Sequence, residues 1–440
     1  MKKIKSYIVK SFEWILRSLA RLMLWRYRPG IIGITGSAGK TSTKFAVAAV
    51  LGASYPVRAS RGNFNTEMGL CLAILGDWSE EDYALFSREF APGEHKIQKF
   101  AFLMRVIFSS AWRIIAPKKA GAPEILILEY GIDKPYDMKR LLAIARPNIT
   151  IITAIGETPV HVEFFPSPED LAREKARLVE YLPAAGYAIL NMDDEIVMNM
   201  KDRTRARPMT FGFGNKAQVH IAGFEHKLQD GVPTGISFKL EYGGSFVPVR
   251  MLGVFGRAQA YAAAAAACVG IVFGMNLVAI SEGLSQYKPP SGRMRLLQGM
   301  KNTLVLDDSY NASPLSVHAA LDTIEGFPGK RKVAVLGDML ELGRYSMDAH
   351  RQIGEIAGKI ADVLVTVGLA AKFIAEGAHK AGMKRSMIHS FDTVEQAQEK
   401  IAEILKKEDL VLIKASHAIH LDRLVSDLTK MSADAIEGAI

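Results

Sequence analysis

The chain has 440 residues, 49% hydrophobic and 23% charged, with a formal net charge of +9. That is too long for one ordinary core and too balanced for a disordered chain, so a globular protein of two or three domains is expected. Its two cysteines, Cys71 and Cys268, have no partners at metal-ligand spacing, which excludes a disulfide framework and a cysteine zinc site and points to a reducing, cytoplasmic setting.

The positive charge is uneven, since residues 1–30 hold eight Lys and Arg against Glu13 alone. Nucleic-acid binding is therefore not expected, because no aromatic stacking platform or recognition motif accompanies that charge. In the same segment Ile4, Ile8, Phe12, Ile15, Leu16, Leu19, Leu22 and Met23 recur at roughly helical spacing. Residues 1–29 thus read as a basic amphipathic helix, docked either on its own protein or peripherally on the inner, anionic face of a membrane. No apolar run approaches the ~18 residues of a spanning helix, and no small-residue cleavage site follows a signal-like core.

The run Ile31–Ile34 reads as a buried strand, and GITGSAGKTSTKFA at 33–46 then turns into a helix beginning near Lys40. The general P-loop pattern wants Gly where Ile34 stands, but the tighter form TGSAGKTS is intact. Gly36 and Gly39 let the backbone approach phosphate oxygens across Ser37 and Ala38. Lys40 can reach the terminal phosphates, the Thr41 hydroxyl can ligate magnesium, and Ser42 lies in the first turn of a helix whose N-terminus favours anions.

Strand-like runs recur at ILILEYG (125–131), ITIITAIG (149–156) and YAILNMDD (187–194), with helical patterns between them, which implies a mostly parallel sheet. Glu129 falls at the C-terminal end of one such strand, where open α/β sheets bind ligands, and a buried acid there calls for a cation such as magnesium. The next strand brings His161 and Glu163 to the same edge. Residues 78–122 read as an insertion whose KFAFLMRVIFSSAWRII portion is a second basic, apolar helix, packed on the protein or joining the first on a membrane. From Val219 to Val249 short alternating runs predict a small antiparallel meander. An alanine-rich helix (Ala258–Ala267) leads to KPPSG at 288–292, a hinge signal. Beyond it TLVLDDS, KVAVLGDM, DVLVTVG and DLVLIKAS predict a second, Rossmann-like α/β domain. The expected organisation is an N-terminal helix (1–29), a P-loop central domain (30–288) and a C-terminal domain (289–440).

Several separated motifs resemble the Mur ligase family, the ATP-dependent enzymes that build the peptide of bacterial cell-wall precursors: TGSAGKTS, NFNTEMG (63–69), LEYG, AIGETPVHVEFF, REKARL around Lys175, and NMDD (191–194). SGRM, DDSYNASP (307–314) and GDMLELG (337–343) are most similar to the branch that adds D-alanyl-D-alanine. The resemblance implies an amide ligase acting on UDP-N-acetylmuramoyl-tripeptide and D-alanyl-D-alanine. An acyl phosphate would form from ATP and then be displaced by the amine, releasing ADP and phosphate. It implies that Thr41 and Glu129 hold one magnesium and that His161 holds a second with a carbamoylated Lys175. Unmodified, Lys175 would be an ordinary helix-surface lysine. Arg293 would face the phosphates, with Asp308 and Asn311 on the nucleotide side, Asp308 suited to ribose hydroxyls; the alternative for DDSYN is a strand end with a turn cap. A monomer is implied.

Three departures accompany the resemblance. The loop comes early, so the family's usual N-terminal UDP-sugar-binding domain is expected to be missing. GRAQAYAAAA keeps Gln259 and Tyr261 but has Ala258 and Ala262 where the family often has His and Asn before its alanine-rich helix, which leaves the adenine contacts open. KASHAIHLDRL places Ala415 and His417 where Gly and Arg are usual, while Lys414 and Ser416 remain. Another ligase of the superfamily, with a different acceptor, and a non-catalytic nucleotide-binding scaffold at the membrane are the competing readings.

Overall fold

The computed structural model describes residues 2–60, 62, 64–79, 81–82, 85, 96–116, 123–229, 231–327 and 329–437. Asn63 of NFNTEMG and much of the predicted insertion at 78–122 lie outside them. Among the described residues the strands form two sheets.

The first sheet contains β1 (Gly30–Thr35), β2 (Val57–Ala59), β3 (Ile125–Glu129), β4 (Ile149–Ile152), β5 (Tyr187–Asn191), β6 (Arg207–Gly212), β7 (Val219–Gln229), β8 (Val232–Tyr242) and β9 (Ser245–Leu252). Their spatial order is β2-β3-β1-β4-β5-β6-β7-β8-β9, parallel as far as β7 and antiparallel through β8 and β9. The meander therefore extends the parallel sheet at one edge. The central strands are buried on both faces, which explains their continuous apolar runs. Alternation sends Ile32, Ile34, Ile125 and Ile127 to one core and Ile31, Leu126 and Leu128 to the other.

The first core lies under α2 (Lys40–Gly52) and the alanine-rich α6 (Arg257–Val272). Ala262–Ala267 are buried, so the two helices approach closely. The second core lies under α1 (Lys2–Tyr27), α3 (Glu67–Leu75) and α4 (Lys96–Ile115). Here α1 docks on its own protein through Leu16, Ala20 and Met23. Arg17 pairs with Glu67, and Arg21 donates to the Ala143 carbonyl. The helix read within the insertion is α4, and it packs through Phe102, Leu103 and Val106. Among the described residues no helix is long and apolar enough to cross a membrane. A further helix, α5 (Pro168–Glu180), is capped by Ser167, whose side chain accepts from Asp170 N.

The second sheet contains β10 (Arg295–Gln298), β11 (Leu304–Asp307), β12 (Lys332–Gly337), β13 (Val363–Val367), β14 (Ile388–Phe391) and β15 (Leu410–Lys414). Their order is β10-β11-β15-β12-β13-β14, parallel except for β10 at its edge. Helix α7 (Pro314–Glu325) follows β11 with a capping box at Ser313 and Ser316.

Candidate functional site

The loop after β1 is built by steric necessity. Gly36 has φ 149°, and a Cβ there would lie 2.0 Å from Thr153 Oγ1; Gly39, with φ 83°, turns the chain into α2. Thr153 Oγ1 donates to the Ala38 carbonyl at 2.6 Å, and Ser37 N donates to the Ala154 carbonyl at 2.6 Å. The end of β4 thus clips the loop. The Ser37 hydroxyl is buried and has no hydrogen-bond partner among the described residues, the condition of a group shaped for a ligand oxygen. Lys40 Nζ donates to the Gly36 carbonyl at 2.7 Å. Burial lowers the Lys40 pKa, Glu129 opposes the shift and Arg293 adds to it. Ser42 is buried, and nearby Tyr287 donates to Gln259 Oε1 at 2.9 Å.

Glu129 ends β3 opposite Ile34 and is 1% exposed. Thr41 Oγ1 donates to its Oε2 at 3.3 Å. Its Oε1 lies 2.9 Å from Lys44 Nζ, both side chains fully buried. Lys44 also donates to the Gly62 carbonyl at 2.9 Å. Burial works against ionisation of Glu129, but Lys44, Arg293 and Lys40 together outweigh it and hold the carboxyl below its usual range. Lys44 did not emerge from the sequence; its one signal is its place a helical turn after Lys40. The Thr41 and Glu129 oxygens fit a magnesium ion, which is commonly bound by one or two protein oxygens plus phosphates and water. Among the described residues no cluster of three or more His, Cys, Asp or Glu could hold a metal by itself.

Lys175 corrects one expectation, because unmodified it is not a surface lysine. It is 2% exposed on α5, and its Nζ donates to the Gly36 carbonyl at 3.1 Å, beneath the loop. Burial, then Lys40, push its pKa well down, against the pull of Asp133. Asp133 was not singled out by the sequence, yet it acts on Lys40 and Lys175 and lies 3.6 Å from His161 Nδ1. His161 has left-handed backbone, φ 70°, and its Nδ1 is 2.6 Å from Glu341 Oε2 of GDMLELG. Glu163 N donates to the Glu341 carbonyl at 3.4 Å, and Arg344 donates to the Pro166 carbonyl. The Glu163 side chain is exposed; its backbone is what reaches the second half.

From that half Arg293 lies 4.4 Å from the Tyr310 ring centroid and acts electrostatically on Lys40, Lys44 and Glu129. Asp308 Oδ2 lies 2.5 Å from Lys414 Nζ, which also donates to the Asn311 carbonyl at 2.8 Å. Burial raises the Asp308 pKa, opposed by Lys414 and Arg293. The turn-cap alternative describes its neighbours: Asp307 accepts from Gly292 N and Ser309, and Asn311 Oδ1 accepts from Ala312 N. A cleft lined by Asn148, Pro183 and Phe273 sits at the opposite end of the strands and takes no part.

A P-loop, a buried acid beside it and a buried lysine below it are thus assembled in one place, within electrostatic reach of Arg293 from a second α/β unit. Residues 113–270 match the Mur ligase middle domain, and residues 292–417 match the Mur ligase glutamate ligase domain. The chain is 30% identical over 416 residues to the UDP-N-acetylmuramoyl-tripeptide--D-alanyl-D-alanine ligase of Bacillus subtilis, covering 94% of this chain and 79% of that protein. The chain belongs to the Mur ligase family. The enzyme of the same name from Mycobacterium tuberculosis H37Rv is 31% identical over 425 residues, covering 91% of this Mur ligase and 73% of that protein. The MurF ligase of Thermotoga maritima, solved in complex with ADP, superposes with a TM-score of 0.75 at 25% identity, over 96% of this chain and 84% of that one. Folylpolyglutamate synthase of Mycobacterium tuberculosis shares the fold, with a TM-score of 0.64 at 16% identity over 94% of each chain.

Several residues beside the departures from the family pattern have local partners in this Mur ligase. Gln259 is buried under Tyr287 as a core group. Tyr261 donates to Asp193 Oδ2 at 2.8 Å, and Asp193 also accepts from Phe213 N and Gly214 N. Asp194 accepts from Ile155 N and Gly156 N, so NMDD anchors the loop that leads to His161. Ser416 accepts from Leu340 N, and His417 stacks on Tyr310 with ring centroids 5.4 Å apart.

Proposed function

We propose that this protein is an ATP-dependent amide ligase of cell-wall precursor synthesis that joins D-alanyl-D-alanine to UDP-N-acetylmuramoyl-tripeptide. The observation that carries the reading is the convergence of Lys40, Thr41–Glu129 and Arg293, from two α/β units, on one phosphate loop. Its relatives named as ligases of that reaction share most of the chain.

In this reading residues 30–288 hold ATP on the loop from Gly36 to Ser42, and residues 289–440 close over it. Lys40 and Arg293 neutralise the charge that develops on the γ-phosphoryl group as the substrate carboxylate attacks it in line. The acyl phosphate so formed is attacked by the amine of the dipeptide, and phosphate leaves. Thr41 and Glu129 would hold magnesium, which supplies further neutralisation at the phosphates. His161 and Lys175 are assigned to a second magnesium. Burial of Lys175 shifts its amine toward the neutral, nucleophilic form that takes up carbon dioxide as a carbamate. Asp308 and Asn311 serve the nucleoside side, with Lys414 orienting Asp308. Closure excludes water from the hydrolysable intermediate.

The test is phosphate release with ATP, magnesium and UDP-N-acetylmuramoyl-tripeptide, with and without D-alanyl-D-alanine, together with product mass. Release that depends on the dipeptide, with the mass of the extended product, is expected. ATP binding without such release would defeat the assignment.

A further inference from the structure

Helices α1 and α4 lie side by side and run in the same direction. The rings of Phe12, midway along α1, and Phe100, near the start of α4, have centroids 6.0 Å apart, and near the ends of both helices the Tyr27 hydroxyl donates to the Arg113 carbonyl at 3.0 Å. Both helices also rest on α3. Their inner faces supply Leu16, Ala20, Met23, Phe102, Leu103 and Val106 to one core, so their outer faces look away from the protein on the same side.

Those outer faces carry large exposed apolar side chains. On α4 the positions Ile97, Phe100, Phe108, Trp112 and Ile115 follow helical spacing and are 55–85% exposed. On α1 the same holds for Trp14 and Trp25, 69% and 71% exposed, with Leu22 between them. Three of the four tryptophans of the chain therefore face solvent on this surface. Large exposed apolar surfaces of this kind mark interaction sites.

Charge decides the occupant. Residues 1–30 hold eight cations and one acid, and residues 96–119 hold six cations and no acid. These segments together carry +13 in a chain of net +9, which leaves −4 for everything else. A second copy of the same face would set like charge against like charge. Nucleic acid would satisfy the cations but not a two-helix apolar stripe. An anionic bilayer satisfies both, because tryptophan favours the headgroup layer and Lys and Arg are drawn to acidic lipids. Neither helix is apolar enough to span, so both would lie flat.

We infer that the outer face of α1 and α4 is a peripheral docking surface for anionic phospholipid. This goes beyond the ligase reading and stands without it.

The test is co-sedimentation of the full chain with vesicles of phosphatidylcholine alone, or with about one quarter phosphatidylglycerol, with tryptophan emission as the second readout. Binding to the anionic vesicles is expected to be roughly tenfold or more tighter than to the neutral ones, and to weaken with salt. A blue shift in emission should accompany it. The outward-facing triple variant Trp14→Ser, Trp25→Ser, Trp112→Ser should fold, as circular dichroism would report, and lose both signals. The inference is overturned if the wild type fails to sediment with anionic vesicles. It is also overturned if the triple variant sediments equally well, or if an acidic protein takes the surface and the vesicles do not.

Discussion

Lys44 Nζ and Glu129 Oε1 are 2.9 Å apart with neither side chain exposed, so each is the other's counter-charge in a place water does not reach. Removing Lys44 leaves a buried carboxylate that only the weaker influence of Arg293 and Lys40 offsets. Lys44→Met should therefore destabilise the fold by about 3–5 kcal/mol, and the double variant Lys44→Met, Glu129→Gln should recover part of that loss. Urea unfolding of the four proteins measures the coupling; additive effects of the two changes would refute it.

Lys40 differs in kind, because its amine is held by the Gly36 carbonyl and aimed into the loop. Lys40→Ala is expected to lower turnover by roughly a hundred- to thousandfold with little change in thermal midpoint. A variant retaining wild-type turnover would remove Lys40 from the chemistry.

Lys175→Ala opens space beneath the loop where the carbamate is assigned. Added short carboxylic acids should restore part of the lost activity to Lys175→Ala and none to Lys40→Ala. Equal rescue of both, or of neither, speaks against a carboxylate function at residue 175.

His350 is fully buried; its Nε2 accepts from Met339 N at 2.9 Å, and its Nδ1 lies 2.6 Å from the Ser346 carbonyl. Burial lowers its pKa from the ordinary 6.5, against the influence of the Ser346 carbonyl and Asp338. The unfolded chain therefore binds the proton more readily than the folded one. This contribution to stability is present above about pH 6.5 and is lost as pH falls through the lower, folded value. His350→Gln, which keeps an acceptor for Met339 but cannot titrate, should show a shallower acid-side fall in thermal midpoint than the wild type.

Gly343 has φ 53°, and a Cβ there would lie 2.7 Å from Glu163 Cβ across the junction of the two halves. Gly343→Val should hold the halves apart. Turnover is expected to fall by roughly a hundredfold while each half keeps its fold. Normal turnover would show that this junction is not part of the working arrangement.

The central strands were legible because burial on both faces writes itself as unbroken apolar runs, as in ILILEYG. β2, β6 and β14 were not, being short, partly exposed or interrupted, as by Pro208 in β6. At the site the P-loop glycines announced themselves through spacing. Lys44 did not, since a lysine on a polar helical turn reads as solvated until the fold places Glu129 against it. Asp133 and Glu341 were hidden for a related reason: their importance lies in meeting His161 from segments far away in sequence. The side of α1 that would be apolar was only half legible, because Trp14 and Trp25 fall outside the stripe that packs.

The alanines of α6 set the height at which the nucleotide loop rests. Ala260 and Ala262–Ala267 are buried in the core they share with α2, and a Cβ on Gly270 would lie 3.1 Å from Val50 Cγ1. The methyls on the face toward α2 are thus spacers of fixed thickness between α6 and the helix that follows the loop. A leucine at Ala263, seven residues before Gly270 and on the same face of α6, would crowd α2, and the loop at its N-terminus would travel with it. Mutational intolerance should therefore extend along a stretch of sequence that carries no chemistry of its own.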